Sequence, residues 1–64
     1  MGVVYSSKEI IKLIQAAGWC FDSASGDHHH FKHPQKPGKV TIPHPKKGLP
    51  KGTANSILRQ AGLK

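Results

Sequence analysis

The sequence predicts an α+β fold, a single domain of order αβββα in which two helices lie on one face of a three-stranded antiparallel sheet. Three observations lead there. Apolar residues recur at three- and four-residue spacing near both ends of the chain, in Ile10, Leu13, Ile14 and Ala17 and again in Ala54, Ile57, Leu58 and Ala61. Between them lie strand-favouring or alternating segments, punctuated by turn formers at 23–27 and 34–38. Each helix has one apolar stripe and the strands share one apolar face, so stacking both helices on one side of the sheet leaves the other side wet.

The elements follow in order. Ser6, Ser7, Lys8 and Glu9 spell a capping box, with Tyr5 placed to staple onto Ile10, and Gly18 supplies the left-handed residue that ends a helix over 7–17. Trp19, Cys20 and Phe21 carry strand-favouring bulk, and Cys20 reads as a small apolar residue between its aromatic neighbours. A turn over 23–27 follows. From 28 to 33, alternation puts His28, His30 and Lys32 on one face and His29, Phe31 and His33 on the other, with Phe31 facing the core. After the turn at 34–38, Val40 and Ile42 point inward and Lys39 and Thr41 outward. A proline-punctuated basic loop over 43–48 leads to a second helix, introduced by Pro50 and Thr53 and stopped by Gly62. Residues 1–64 read as one domain, with 1–5 as an N-terminal extension and no internal repeat.

At 64 residues the chain is near the lower limit for folding without staples, which excludes deep pockets for large cofactors. Its single cysteine, Cys20, excludes an internal disulfide and a multi-cysteine zinc site and fits a reducing, cytoplasmic setting. Nothing nearby marks that thiol as activated. No apolar run spans a bilayer, and the first residues lack the h-region of a signal peptide. The formal charge of +7 points to an acidic partner, a polyanion of no particular kind, although solubility alone also explains a basic surface. Beyond Asp27 there is no acidic side chain, yet eight of the ten lysines and arginines lie there, so this part of the chain attracts phosphates.

Five histidines, His28, His29, His30, His33 and His44, fall within seventeen residues of that acid-free region. Histidine changes charge near neutral pH and serves as a general base when held over a reacting group; on a neutral surface it is merely solvated. On the residues alone, both readings of His28 stand. His29 and His33 share the side of Phe31 and read as packing or edge residues, whereas His44, between two prolines, is either a phosphate contact or a solvated ring. Strand geometry selects Lys32 and Lys39 as phosphate contacts, joined by Lys46 and Lys47 in the loop and Lys51 at the entrance to the second helix. His28 and His30 can also share a zinc ion, although the spacing matches no known metal motif.

A layered αβββα domain with a basic surface is the architecture of double-stranded RNA-binding domains. The residues carry a closer likeness. Helix 1, Gly18-Trp19, Gly26-x-His28-His29-His30-Phe31-Lys32-His33-Pro34, Val40-Thr41-Ile42-Pro43-His44-Pro45, Leu49-Pro50-Lys51-Gly52-Thr53 and the run from Ile57 to Leu63 together resemble HicA, the small toxin of HicAB toxin–antitoxin modules. The resemblance implies a double-stranded-RNA-binding-domain-like fold, cleavage of mRNA without a cofactor, and a HicB-type antitoxin as partner. It also implies that His28 is the catalytic residue. Asp27 stands where that family usually has serine, and its carboxylate either sits close enough to His28 to repel the scissile phosphate or points away. The implied chemistry is metal-independent: His28 takes the proton of a 2′-hydroxyl, and the alkoxide attacks the adjacent phosphorus. His30, on the same face, is a candidate for the acid that protonates the leaving oxygen; water is the other. The rival function is a non-catalytic RNA-binding module using the same face.

Overall fold

The first helix begins as its capping box dictates. In the computed structural model, which describes residues 5–64, Ser6 Oγ accepts from the Glu9 N–H at 3.2 Å and Glu9 Oε1 accepts from the Ser6 N–H at 3.0 Å. The Ser6 N–H, and after it the Ser6 hydroxyl, hold the Glu9 carboxyl below its ordinary range. Helix α1 (Ser7–Ala16) ends at Gly18, whose φ of 100° suits only glycine. Space makes the same demand, because a Cβ at Gly18 would come within 2.6 Å of His33 Nε2. Residues 1–4, most of the predicted N-terminal extension, lie outside the described residues.

Three antiparallel strands follow, β1 (Cys20–Ser25), β2 (His28–Lys32) and β3 (Lys39–Pro43), in the order β1-β2-β3. The first is longer than the sequence suggested. Ser23, Ala24 and Ser25, read as turn formers, pair with His30, His29 and His28, so the turn shrinks to Gly26-Asp27, with Gly26 at φ 60°. Two residues with glycine first is a hairpin connection whose twist matches the strands, and cross-strand pairing overrides weak local preference. The strand register shifts between Phe21 and Ser23, placing a bulge at Asp22.

Alternation gives the sheet two unlike faces. One carries Ala24, His29 and Ile42 in one cross-strand row and Phe21, Phe31 and Val40 in the next; the other carries Ser25-His28-Pro43, Ser23-His30-Thr41 and Cys20-Lys32-Lys39. Helix α2 (Lys51–Gln60) has Pro50 at its N-cap without a side-chain bond, and Gly62 follows it at φ 80°. Both helices touch β3 and each other. Ile10 and Ile14 of α1, Ala54, Ile57 and Leu58 of α2, and Phe31, Val40 and Ile42 of the sheet form one core with Trp19, Leu49 and Ala61. Trp19 ties the helices together by donating its Nε1–H to the Ala61 carbonyl at 3.1 Å.

Three expectations about packing change. Leu13, expected in the stripe of α1, is exposed, and its neighbour Ile11 packs partly against the core instead. Cys20 is exposed on the open face. Every residue of β1 is exposed, Phe21 included, because the helices lie over the β3 side and this edge strand projects beyond them. A chain this short buries only about 60% of the surface its unfolded form exposes, so one side of the sheet must stay uncovered somewhere.

Candidate functional site

The open face of the sheet presents the predicted catalytic residues. His28 is the first residue of β2, set directly after the Gly26-Asp27 turn, and its side chain is 59% exposed. His30 shares its face, and the two Cα positions lie about 6.6 Å apart by strand geometry. His30 Nδ1 is 2.9 Å from Thr41 Oγ1 on the registered partner residue of β3. Asp27 does not point away: its Oδ1 lies 3.7 Å from His28 Nδ1, closer than the strand alternation would place it, because Asp27 belongs to the turn. At the far end of the same face Lys32 stands opposite Lys39, with Asp22 Oδ1 4.0 Å from the Lys32 Nζ. The Lys32 side chain is well exposed and that of Asp22 a third exposed, so at 4.0 Å the contact is weak and Lys32 stays available to an anion.

The remaining predicted lysines lie around the other end of β3. An open pocket of about 410 Å³ is lined by Ser6, Ser7 and Lys8 at the start of α1 and by His44, Pro45, Lys46 and Lys47. The pocket adjoins the His28 end of the sheet, since the His44 N–H donates to the Asp27 carbonyl at 2.7 Å. Its floor is fixed by Ser7, a buried hydroxyl only 1% exposed. The Lys46 N–H donates to Ser7 Oγ at 2.9 Å, the Lys46 carbonyl accepts from it at 3.2 Å, and His44 Nδ1 lies 2.6 Å away. One proton and two lone pairs thereby find three partners. Lys51 is the exposed first residue of α2.

The structure thus brings His28, His30, Lys32 and Lys39 together on one face and gathers Lys46 and Lys47 at its edge. His44 is not on that face. Its half-buried ring is bonded to Ser7 and packs edge-on against His29 with centroids 4.9 Å apart, which removes the reading of a solvated ring. His29 in turn packs on Phe21. His33 is engaged at both nitrogens, donating from Nε2 to the Ala17 carbonyl at 3.0 Å and accepting the Gln35 N–H at Nδ1, also at 3.0 Å. That fixes one neutral tautomer and makes it a structural residue. Among the described residues no group of three His, Cys, Asp or Glu side chains is placed to hold a metal ion. Ser7 is the residue that sequence reading missed. Beyond its place in the capping box, nothing in the pattern signals a contact to residues nearly forty positions away.

Two comparisons with known proteins agree with this geometry. The family model of the HicA toxin of bacterial toxin–antitoxin systems matches residues 7–63. A chain of a toxin–antitoxin complex from Streptococcus pneumoniae superposes with a TM-score of 0.76 at 32% identity, over 91% of this chain and 97% of that one. No curated protein matches the chain. A match spanning nearly every described residue, on an αβββα sheet whose open face carries the Gly26-x-His28 hairpin, places the chain in the HicA toxin family.

Proposed function

We propose that this protein is an endoribonuclease that cleaves mRNA, with His28 as the general base, and that a HicB-type antitoxin silences it in the cytoplasm. The observation that carries the reading is the position of His28. It is a half-exposed imidazole at the mouth of a two-residue turn, on the sheet face that no helix covers, with Lys32 and Lys39 at the far end of that face and the pocket lined by Lys46 and Lys47 next to its near end. An RNA strand laid along β2 from Lys32 and Lys39 toward Lys46 and Lys47 passes over His30 and His28. Lys51 extends the same positive border.

In this reaction the imidazole removes the 2′-hydroxyl proton, the oxygen attacks the neighbouring phosphorus, and the strand breaks to a 2′,3′-cyclic phosphate and a free 5′-hydroxyl. DNA has no such hydroxyl. One base contributes roughly 10²- to 10⁴-fold, so the lysines must also position the backbone and offset charge on the phosphorane. An acidic antitoxin surface complements the same cations and covers His28.

The test is incubation of purified protein with a structured mRNA and a matched DNA in excess EDTA. RNA is expected to be cut and DNA spared, and His28→Ala should bind RNA without cutting it. Loss of cleavage in chelator would transfer the chemistry to a bound metal, and binding without cleavage by the parent protein would make the chain an RNA-binding module.

A further inference from the structure

We propose that His30 is the general acid that protonates the leaving 5′-oxygen, and that Thr41 is the residue that positions it. The proposal rests on the reading of His28 as the base. In-line displacement puts the attacking and leaving oxygens on opposite sides of the phosphorus, so base and acid must stand on one surface with a phosphate between them. Side chains two residues apart on a strand project in parallel, about 6.6 Å from each other at the backbone. That interval admits one phosphate group. His28 and His30 are the two histidines with this relation on the open face.

The other proton donors are placed elsewhere or held elsewhere. His29 and His44 pack edge-on against each other on the helix side of the sheet, and both nitrogens of His33 are engaged. Lys32 lies four residues along β2 from His28, about 13 Å by strand geometry, and faces Asp22. Of the two histidines on the open face, His30 is the one with a hydrogen-bond partner that aims it. The 2.9 Å contact to Thr41 Oγ1 occupies Nδ1, so the ring exchanges protons through Nε2, the nitrogen that this contact leaves free. Thr41 is suited to the task because its hydroxyl oxygen accepts from Nδ1–H, a proton the ring keeps when Nε2 gives up its own, so the contact survives in the charged and the neutral ring alike. It holds one ring orientation through the whole cycle.

The step balances. The 2′-oxygen to phosphorus bond forms as its proton passes to His28, the bond from phosphorus to the 5′-oxygen breaks, and that oxygen takes the proton of His30. Water entering later restores both histidines by passing one proton back to the His30 ring from the His28 ring.

The discriminating experiment uses two RNAs, one ordinary and one with sulfur in place of the bridging 5′-oxygen at the cleaved position. A thiolate whose conjugate acid has a pKa of about 8.5 leaves without the proton that an alkoxide needs. His30→Ala is expected to lower kcat on ordinary RNA by roughly 10²- to 10⁴-fold and to cleave the sulfur substrate at close to the parent rate. Thr41→Val should show the same selectivity at roughly 2- to 10-fold, the worth of one hydrogen bond, and Thr41→Ser should restore the parent. Equal losses on both substrates would make His30 or Thr41 a binding or structural residue, and no loss on ordinary RNA would make water the acid. Rescue of His28→Ala rather than His30→Ala by sulfur would reverse the assignment. A His28→Ala variant as active as the parent on both, or a parent that cuts neither, would overturn the base reading itself.

Discussion

Replacing Ser7 with alanine tests whether a single hydroxyl holds the basic loop to the first helix. The side chain is 1% exposed, and its oxygen serves the Lys46 N–H, the Lys46 carbonyl and His44 Nδ1. The carbonyl keeps a second partner, the Ser7 N–H at 2.9 Å, and is not orphaned by the change. The Lys46 N–H and His44 Nδ1 lose theirs. A part-buried donor left without a partner costs about 1–3 kcal/mol, and the His44 nitrogen, which borders the open pocket, recovers some of its loss from water. The sum is about 2–3 kcal/mol, against a total stability of roughly 3–10 kcal/mol for a domain of this size. For so small a protein the urea m-value is about 1 kcal/mol/M, so the midpoint should fall by about 2–3 M with m unchanged. Thermal unfolding should shift down by roughly 8–24 °C. Ser6→Ala is the internal control, because it removes an exposed N-cap worth about 0.5–2 kcal/mol and touches neither His44 nor Lys46. A midpoint change for Ser7→Ala no larger than that of the control would refute the clamp.

Two further expectations concern the open face. Asp27→Ser should raise kcat/KM, since the carboxylate sits 3.7 Å from His28 and so about 7 Å from a phosphate hydrogen-bonded there; that repulsion is about 0.6 kcal/mol in water, roughly threefold in rate, and should shrink with added salt. A slower variant would mean that the carboxylate instead supports the imidazolium formed when His28 takes its proton. Changing Lys46 and Lys47 together to glutamine should reduce the salt slope of RNA affinity by about 1.4, at roughly 0.7 for each phosphate contact on a single strand, and an unchanged slope would remove the pocket from the RNA path.

The order of elements, both helix cores and the faces of β2 and β3 were legible because each rests on a local periodicity: Ile10 with Ile14, Phe31 with His29, Val40 with Ile42. So were the capping box and the glycine that ends α1. What was not legible depends on pairing between distant segments. Ser23 and Ser25 look like turn residues until their partners are His30 and His28, and Leu13 looks like core until the sheet is placed on its neighbour's side. Of the candidate site, the sequence singled out His28, His30 and the lysines, which the fold then places. It could not reveal that Thr41 meets His30 across two strands or that His44 turns back to Ser7, because each contact joins segments whose separation only the folded backbone sets.

The five histidines separate by what their ring nitrogens already hold, and that division bears on how the chemistry can be tested. A group that moves protons needs a nitrogen free to meet substrate. His33 has none, His44 has one nitrogen committed to Ser7, and His29 is packed between Phe21 and His44. Substituting any of these disturbs packing as well as charge, and lost activity would not distinguish the two. His30 gives up only Nδ1, and His28 has, among the described residues, no hydrogen-bond partner, only the charge of Asp27 at 3.7 Å. Neither contributes to the core. Their positions come from the backbone instead, from the Gly26 turn, the β2–β3 register and the bond from His44 N–H to the Asp27 carbonyl. The site is therefore rigid without being buried, and replacing His28 or His30 removes an imidazole while leaving the frame that held it.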